Sequence, residues 1–197
     1  MTERSSENQQ RFDALFAEYG TDVVAYCGWR AASASDAQDA VADVFLTAWR
    51  RLEDVPDDPV SARVWLYATA RRVIANQRRS NRRRNALHDR LAHEAASASR
   101  DRPTTGEASL VYDALEVLGS RDREVLLLSE WEGLSPAEIA AVLGCLTVTA
   151  RGRLHRARRR FRAAFEDVRA RDRGAAPARP HGGTGTPDYS LLRQGGS

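Results

Sequence analysis

Residues 134–162, LSPAEIAAVLGCLTVTARGRLHRARRRFR, predict two short helices joined by a tight turn. Ser135 and Glu138 have the spacing of a capping box, and Pro136 occupies the first helical position, where its missing N–H costs nothing. Gly144 is expected to end the first helix, because glycine tolerates left-handed backbone angles. Apolar residues that recur every three or four positions then predict the second helix: Ala150, Leu154, Ala157, Phe161 and Phe165.

The other faces of this second helix are almost entirely cationic. A capped helix, a turn glycine and a basic helix, in that order, are typical of a helix-turn-helix whose second helix enters a DNA groove. An arginine-rich helix can also be no more than a solvated face, but the joint occurrence of the three features favours DNA. The candidate DNA-binding residues are Thr147, Thr149, Arg151, Arg153, His155, Arg156, Arg158, Arg159 and Arg160.

The charge of the chain is modest in total but unevenly distributed. The 197 residues carry a formal net charge of +3, with arginines concentrated in 71–84 and 151–162 and acids in 36–58 and 107–138. This alternation predicts two nucleic-acid surfaces separated by surfaces for a basic partner. All basic residues other than histidine are arginine, which suits phosphate contacts but follows equally from a GC-rich coding bias, the explanation we favour.

The two cysteines and the chain termini indicate a reduced, soluble protein. Cys27 and Cys145 lie far apart in sequence, without a metal-ligand partner at suitable spacing, and are predicted to be small core residues in a reducing cytosol. Residues 1–10 are polar and expected to be disordered. No apolar run reaches membrane-spanning length, so the expected location is cytoplasmic, without membrane insertion.

The first half of the chain predicts a helical bundle. Amphipathic helices are expected over 11–34 with an interruption near Gly20, followed by a helix capped by Ser35 with Gln38. Opposite the apolar stripe of that helix lies an acidic face, which by itself is usually only solvated: Asp36, Asp39 and Asp43.

A loop at 52–60 leads to a third helix capped by Asp58 or Ser61. This helix interleaves aromatic rings with guanidinium groups, which unstacked single-stranded bases require. Trp65 and Tyr67 could instead pack inside the bundle, and the pattern leaves both possibilities open. The candidate residues are Trp65, Tyr67, Arg71, Arg72, Arg78, Arg79, Arg82 and Arg83.

The organisation predicted from these patterns is all-α, with two small helical domains. The first domain covers 11–85, a flexible linker rich in Ala, Ser and Asp covers 86–109, and the second domain covers 110–170. Ser120 is expected to cap a helix of the second domain. The Gly- and Pro-rich tail at 171–197 is expected to be disordered.

Four segments in this order resemble the extracytoplasmic-function sigma factors of bacterial RNA polymerase, which keep only region two and region four. They are DAQDAVADVFLTAWRRL, RVWLYATARRVIANQRR, LGSRDREVLLLSEWEGLSPAEIAAVLG and RGRLHRARRRF. The resemblance covers about 11–166 and implies that the first domain is region two and the second is region four.

The resemblance also implies partners and roles. The partners are core RNA polymerase, through its largest and second-largest subunits, promoter DNA, and an anti-sigma factor that holds the protein inactive. Helix 35–52 corresponds to the part that grips the polymerase clamp, the third helix would melt the minus-ten element with Asn76 at the melting point, and helix 147–160 would read the minus-35 element. The implied polymerase contacts are Asp36, Asp39, Asp43, Thr47 and Arg50.

One departure from the family concerns the start of the helix that would read DNA. After Gly144 the family usually has an apolar residue, a capping serine and another apolar residue, whereas this chain has Cys145, Leu146 and Thr147. Thr147 is expected to take over as the cap and to start the helix one residue late. Gly152 inside that helix costs about 1 kcal/mol relative to alanine.

Two other functions compete with the sigma-factor interpretation. A stand-alone helix-turn-helix repressor or activator would use the first domain for dimerisation or as a ligand module, but a dimerisation helix has no need of aromatic and arginine side chains along 65–84. A nucleic-acid-modifying enzyme would need a catalytic constellation, and the sequence offers no paired carboxylates beside a histidine, no phosphate loop and no metal spacing. We therefore expect no enzyme activity, no cofactor and no small-molecule substrate.

Overall fold

The computed structural model describes residues 2–88 and 106–175, and within these ranges the regular structure is entirely helical. The predicted all-α class is confirmed. The chain divides into two compact units, residues 1–100 and 101–197, and this division falls inside the predicted linker. None of the helices in the described ranges combines the length and apolar character that crossing a bilayer requires.

In the first unit, residues 2–88 form a bundle of three α-helices that all pack against one another: α1 Thr2–Arg30, α2 Ala34–Arg50 and α3 Pro59–His88. Its core consists of residues at helical spacing on the facing sides of the three helices, because burying these stripes removes apolar surface from water. The buried side chains include Leu15, Val23, Tyr26, Cys27, Ala40, Val44, Phe45, Ala48, Leu66, Tyr67, Ala70 and Ile74.

Helix α1 differs from the sequence prediction at its start and in its middle. It begins at Thr2, so residues 2–10, predicted to be disordered, are helical, although residues 4–10 are all exposed. It also continues through Gly20, where a Cβ would meet only the ring of Phe16 at 3.9 Å. Because the buried stripe runs on unbroken from Tyr19 to Val23, packing against the other two helices outweighs the low helix propensity of a single glycine.

Helix α2 is capped by Ser33 and not by the predicted Ser35. The Ser33 Oγ accepts a hydrogen bond from the Asp36 backbone N–H at 3.0 Å and donates one to the Asp36 carboxylate at 2.9 Å. Ser33 has the extended backbone that a cap requires, with φ −142° and ψ 165°. The capping interaction therefore lies two residues earlier than predicted.

The connection between α2 and α3 is held by one arginine of α1. After a 3₁₀ turn at Leu52–Asp54, Arg11 donates hydrogen bonds to the Leu52 carbonyl at 3.0 Å, the Val55 carbonyl at 2.6 Å and the Asp57 carboxylate at 2.6 Å. Asp58 accepts the Ser61 backbone N–H at 2.9 Å, so of the two predicted caps for α3 the structure uses Asp58.

Within residues 106–175, the second unit has four α-helices: α4 Glu107–Val117, α5 Ser120–Leu126, α6 Pro136–Leu143 and α7 Thr147–Ala175. A π-helical segment, Leu127–Trp131, extends α5, and α4, α5 and α6 all pack on α7. Gly119, not Ser120, occupies the cap position of α5, and no side chain caps it.

The predicted linker and tail are shorter than expected at their described ends. Residues 86–88 continue α3, residues 107–109 begin α4, and residues 171–175 continue α7. The rest of the predicted linker, 89–105, and the rest of the predicted tail, 176–197, lie outside the described residues.

Candidate nucleic-acid interface

The helix-turn-helix is built by local hydrogen bonds that the sequence predicted. The Ser135 backbone N–H donates to the Glu138 carboxylate at 2.6 Å, and the Glu138 backbone N–H donates to the Ser135 hydroxyl at 3.3 Å, which completes the capping box. Gly144 adopts the left-handed conformation, φ 64° and ψ 46°, and ends α6. Both predictions are confirmed.

Helix α7 begins at Thr147, but Thr147 is not its cap. The Leu146 carbonyl accepts the Ala150 backbone N–H at 3.0 Å, so Leu146 holds the cap position and Thr147 is the first helical residue. The prediction that Thr147 caps the helix is therefore wrong by one residue.

The two cysteines differ in burial. Cys145, in the turn, is half-buried and is not the core residue predicted. Cys27 is fully buried, and that burial raises the pKa of its thiol to about 11.

Most of the predicted DNA-binding side chains of α7 lie outside its buried face. That face consists of Ala150, Leu154, Ala157, Phe161, Ala164 and Phe165. Three of the candidates are half-buried at its edge: Thr147, Thr149 and Arg153. The others are exposed: Arg151, His155, Arg156, Arg158, Arg159 and Arg160.

Two of these arginines contact acids of the same unit. Arg158 donates to the Glu130 carboxylate at 2.7 Å and 3.0 Å and to the Ser129 hydroxyl at 3.2 Å. Arg160 forms an ion pair with Asp122. Both are among the predicted DNA-binding residues, and here Arg158 connects α7 to the π-helical segment Leu127–Trp131 and Arg160 connects α7 to α5.

An open cleft of about 410 Å³ lies between the start of α5 and one flank of α7. Its lining combines four arginines with a single acid, which gives it a net positive charge attractive to phosphate. The lining residues are Gly119, Ser120, Arg121, Asp122, Arg153, Arg156 and Arg160. Arg121 was not among the predicted contacts, because only tertiary packing places its side chain opposite α7.

The two candidate aromatic residues of α3, in the first unit, differ in their burial. Tyr67 is fully buried and stacks on Tyr26 with a centroid distance of 4.9 Å, so it belongs to the core and is not accessible to a base. Its assignment to the minus-ten surface is therefore wrong. Two residues along a helix differ by about 200° in direction, so the Trp65 side chain points away from the side of α3 on which Tyr67 is buried. Trp65 is accordingly only half-buried.

The outer side of α3 forms a continuous stripe, which we call the α3 strip: Trp65, Arg72, Asn76, Arg79 and Arg83. Their spacings of seven, four, three and four residues place them on one face. Arg79 donates a hydrogen bond to the Asn76 side-chain oxygen, which fixes the orientation of that amide. The remaining candidates lie beside the strip or contact the bundle: Arg71 is half-buried, Arg82 is exposed, and Arg78 donates to the Arg30 carbonyl.

The candidate polymerase contacts on α2 also share one face, which we call the α2 stripe: Asp36, Asp39, Asp43, Thr47 and Arg50. Asp39, Asp43 and Arg50 are exposed, while Asp36 is half-buried in the cap and Thr47 is half-buried. The Thr47 hydroxyl donates to the Asp43 carbonyl at 2.7 Å. The exposed apolar side chain of Leu46 lies beside this stripe, whereas the Trp49 ring packs on Phe12 of α1 with a centroid distance of 5.2 Å.

Comparisons with known proteins agree on one family. A family model described as Sigma-70 region 2 matches residues 15–84, and one described as Sigma-70, region 4 matches residues 108–161. The ECF RNA polymerase sigma factor SigL of Mycobacterium tuberculosis is 31% identical over 159 residues, which cover 79% of this chain and 89% of SigL. This chain belongs to the ECF sigma factors.

Further proteins described as sigma factors match most of this sigma factor. The RNA polymerase sigma factor CnrH of Cupriavidus metallidurans is 28% identical, with 82% of this chain and 90% of CnrH covered. The structure of CnrH in complex with the cytosolic domain of CnrY matches with a TM-score of 0.58 and 26% identity, covering 82% of this chain and 92% of that one. The sigma factor RpoE in complex with the anti-sigma factor NepR from Bartonella quintana matches in fold, with a TM-score of 0.61, 22% identity and coverage of 84% and 98%.

The family assignment decides between the functions that the sequence left open. As an ECF sigma factor, the protein binds core RNA polymerase and directs it to promoter DNA. The alternative of a stand-alone dimeric regulator is not favoured, because both halves of the chain match sigma-factor regions.

Proposed function

We propose that this sigma factor divides promoter recognition among three surfaces: the α2 stripe binds core polymerase, the α3 strip holds the melted minus-ten element, and α7 reads the minus-35 element. The observation that carries the proposal is the different chemistry of the three exposed faces. One is acidic, one combines an aromatic ring and an amide with arginines, and one is almost wholly cationic.

The α2 stripe is suited to a basic protein surface. Asp39 and Asp43 are exposed carboxylates one helical turn apart, and Leu46 adds apolar contact area beside them. We expect the double variant Asp39→Arg/Asp43→Arg to fold normally and to associate more weakly with core polymerase. The matched control is Glu7→Arg/Asp13→Arg, which makes the same charge change at exposed positions of α1. Equal association of both variants with core would contradict this assignment.

The α3 strip is suited to an opened DNA strand. Trp65 offers a ring face for stacking, Asn76 offers an oriented amide, and three exposed arginines follow the phosphates. We expect Asn76→Ala to spare closed-complex binding and to slow strand opening. A template already mismatched across the minus-ten region should restore its activity, because the unpairing cost is removed in advance. Abortive transcription on duplex and pre-melted templates measures both effects.

The proposal also covers how the protein is regulated and where it acts. The protein takes part in initiation without chemistry of its own, acts in the cytoplasm with the polymerase, and is held inactive by an anti-sigma factor. A bound partner in the CnrH structure, the cytosolic domain of CnrY, supports this mode of control. The expected regulator binds this chain and lowers its association with core polymerase in a competition experiment. A regulator that binds the assembled holoenzyme without displacing core would contradict the proposal.

The test of the whole proposal is transcription in vitro with core polymerase on fragments of the source genome. We expect specific start sites only when this chain is added, and weak duplex binding by the chain alone, because the two small domains have few contacts until the enzyme fixes their separation. Tight, sequence-specific footprints from a dimer of the isolated chain would instead indicate a stand-alone regulator.

A further inference from the structure

Two branched apolar side chains lie exposed at the start of α7, where a cationic DNA-binding helix would ordinarily be polar. Leu146 is 72% exposed and Val148 is 71% exposed. The buried face of α7 begins at Ala150 and points into the domain, so neither side chain contributes to that core. Their apolar surface is available to a partner.

Val148 lies on the outermost face of α7. Residues Val148, Gly152, His155 and Arg159 follow one another at spacings of four, three and four, so they form one stripe directed away from the buried face. Along the helix, the stripe begins with the apolar side chain of Val148, continues with Gly152, which has no side chain, and ends with the cationic side chain of Arg159.

This order matches the chemistry of a major groove met by the first turns of a helix. In helix-turn-helix docking the N-terminal residues of the second helix contact base edges, and residues further along meet the backbone. Gly152 has room around it, since a Cβ would meet only the Arg156 guanidinium at 3.4 Å, and its missing side chain permits a close approach to the bases. The C5-methyl of thymine is the apolar group that base edges present in this groove.

We infer that Val148 contacts a thymine methyl group in the minus-35 element and so contributes specificity by apolar contact. The inference rests on the proposed reading of the minus-35 element by α7. Burying one methyl-sized group against Val148 corresponds to about a fourfold preference for thymine over a base that lacks the methyl.

The experiment replaces thymine by uracil, which removes only the methyl group. Holoenzyme formed from the full chain and core polymerase selects from duplexes randomised at the minus-35 element, made in parallel with thymidine or deoxyuridine. We expect a position at which thymine is preferred and deoxyuridine binds about three- to fivefold more weakly. That difference should disappear in Val148→Ala and should persist in Val117→Ala, a valine of α4 that is similarly exposed, at 66%.

The alternative outcomes separate the two proposals. A clear minus-35 preference that is identical for thymine and uracil overturns the methyl contact and leaves the reading by α7 intact. No minus-35 preference at all removes the proposed function and this inference with it. If Val148→Ala weakens binding of core polymerase or a regulator while thymine and uracil remain equivalent, the apolar side chains serve a protein partner and the inference is wrong.

Discussion

The two units of this sigma factor both bury aromatic rings but differ in where they place arginine side chains. In the first unit, Tyr26 stacks on Tyr67 and lies 3.6 Å from the guanidinium carbon of Arg30, which is itself buried. In the second unit, the rings of Phe161 and Phe165 are buried while the arginines of α7 lie mostly at the surface. A guanidinium can therefore pack in the core of one unit, as Arg30 does on Tyr26, whereas the arginines of α7 lie mostly at the surface of the other.

Removing Tyr67 should have the largest effect on this comparison. Because its ring is fully buried and stacked, we expect Tyr67→Ala to lower the free energy of unfolding by about 3–5 kcal/mol. Trp65→Ala, at a half-buried position, should cost less stability and mainly slow strand opening. Urea unfolding of the full chain, followed by circular dichroism, measures the difference. Equal stability losses in the two variants would mean that the two rings are equivalent.

Arg151 and Arg153 test the cationic surface of the second unit. They lie near the start of α7, so we expect Arg151→Ala or Arg153→Ala to reduce discrimination between correct and altered minus-35 sequences by about 1–3 kcal/mol. Arg159→Ala, further along the helix, should weaken all sequences alike and lower the slope of log affinity against log salt by about 0.9. Holoenzyme binding to both sequences across a salt series distinguishes them. Uniform weakening by all three variants would remove the distinction between base and phosphate contacts.

Two glycines of the helix-turn-helix should respond in opposite directions. Gly144 has a positive φ of 64°, so we expect Gly144→Ala to cost about 1–2 kcal/mol even though a Cβ there meets no atom within 4 Å. Gly152 lies within α7, so Gly152→Ala should gain up to about 1 kcal/mol of stability. If Gly152 allows close approach to the bases, the stabilised variant should nevertheless bind promoter DNA less well. Thermal unfolding and holoenzyme binding, measured on the same variants, check both statements.

The smallest expected effect is the pH dependence of the α3 cap. Hydrogen bonds from the Ser61 side chain and backbone lower the pKa of the exposed Asp58 carboxyl. A lowered pKa in the folded state means that the cap stabilises the protein above the unfolded pKa and that this contribution disappears as pH falls through the folded pKa. The stability difference between the wild type and Asp58→Ala should therefore shrink in acid. A difference that stays constant down to pH 3 would show that the charge of Asp58 plays no part.

The sequence by itself determined the features that depend on neighbours along the chain. These features are the capping box of Ser135, the left-handed Gly144 and the helical stripes of α2 and α7. Each depends on residues no more than a few positions apart, so the local sequence is sufficient to predict it. These signals were enough to predict an all-α protein of two domains with a helix-turn-helix in the second.

Tertiary structure decided the features that depend on partners far along the chain. Packing decides whether Tyr67 faces a base or stacks on Tyr26, and whether Arg160 is available or paired with Asp122. It also decides whether the helix α1 breaks at Gly20 or continues through it. The physical reason is that burial and ion pairing are properties of a pair of surfaces. A periodic pattern identifies one surface of the pair, and only the fold supplies the other.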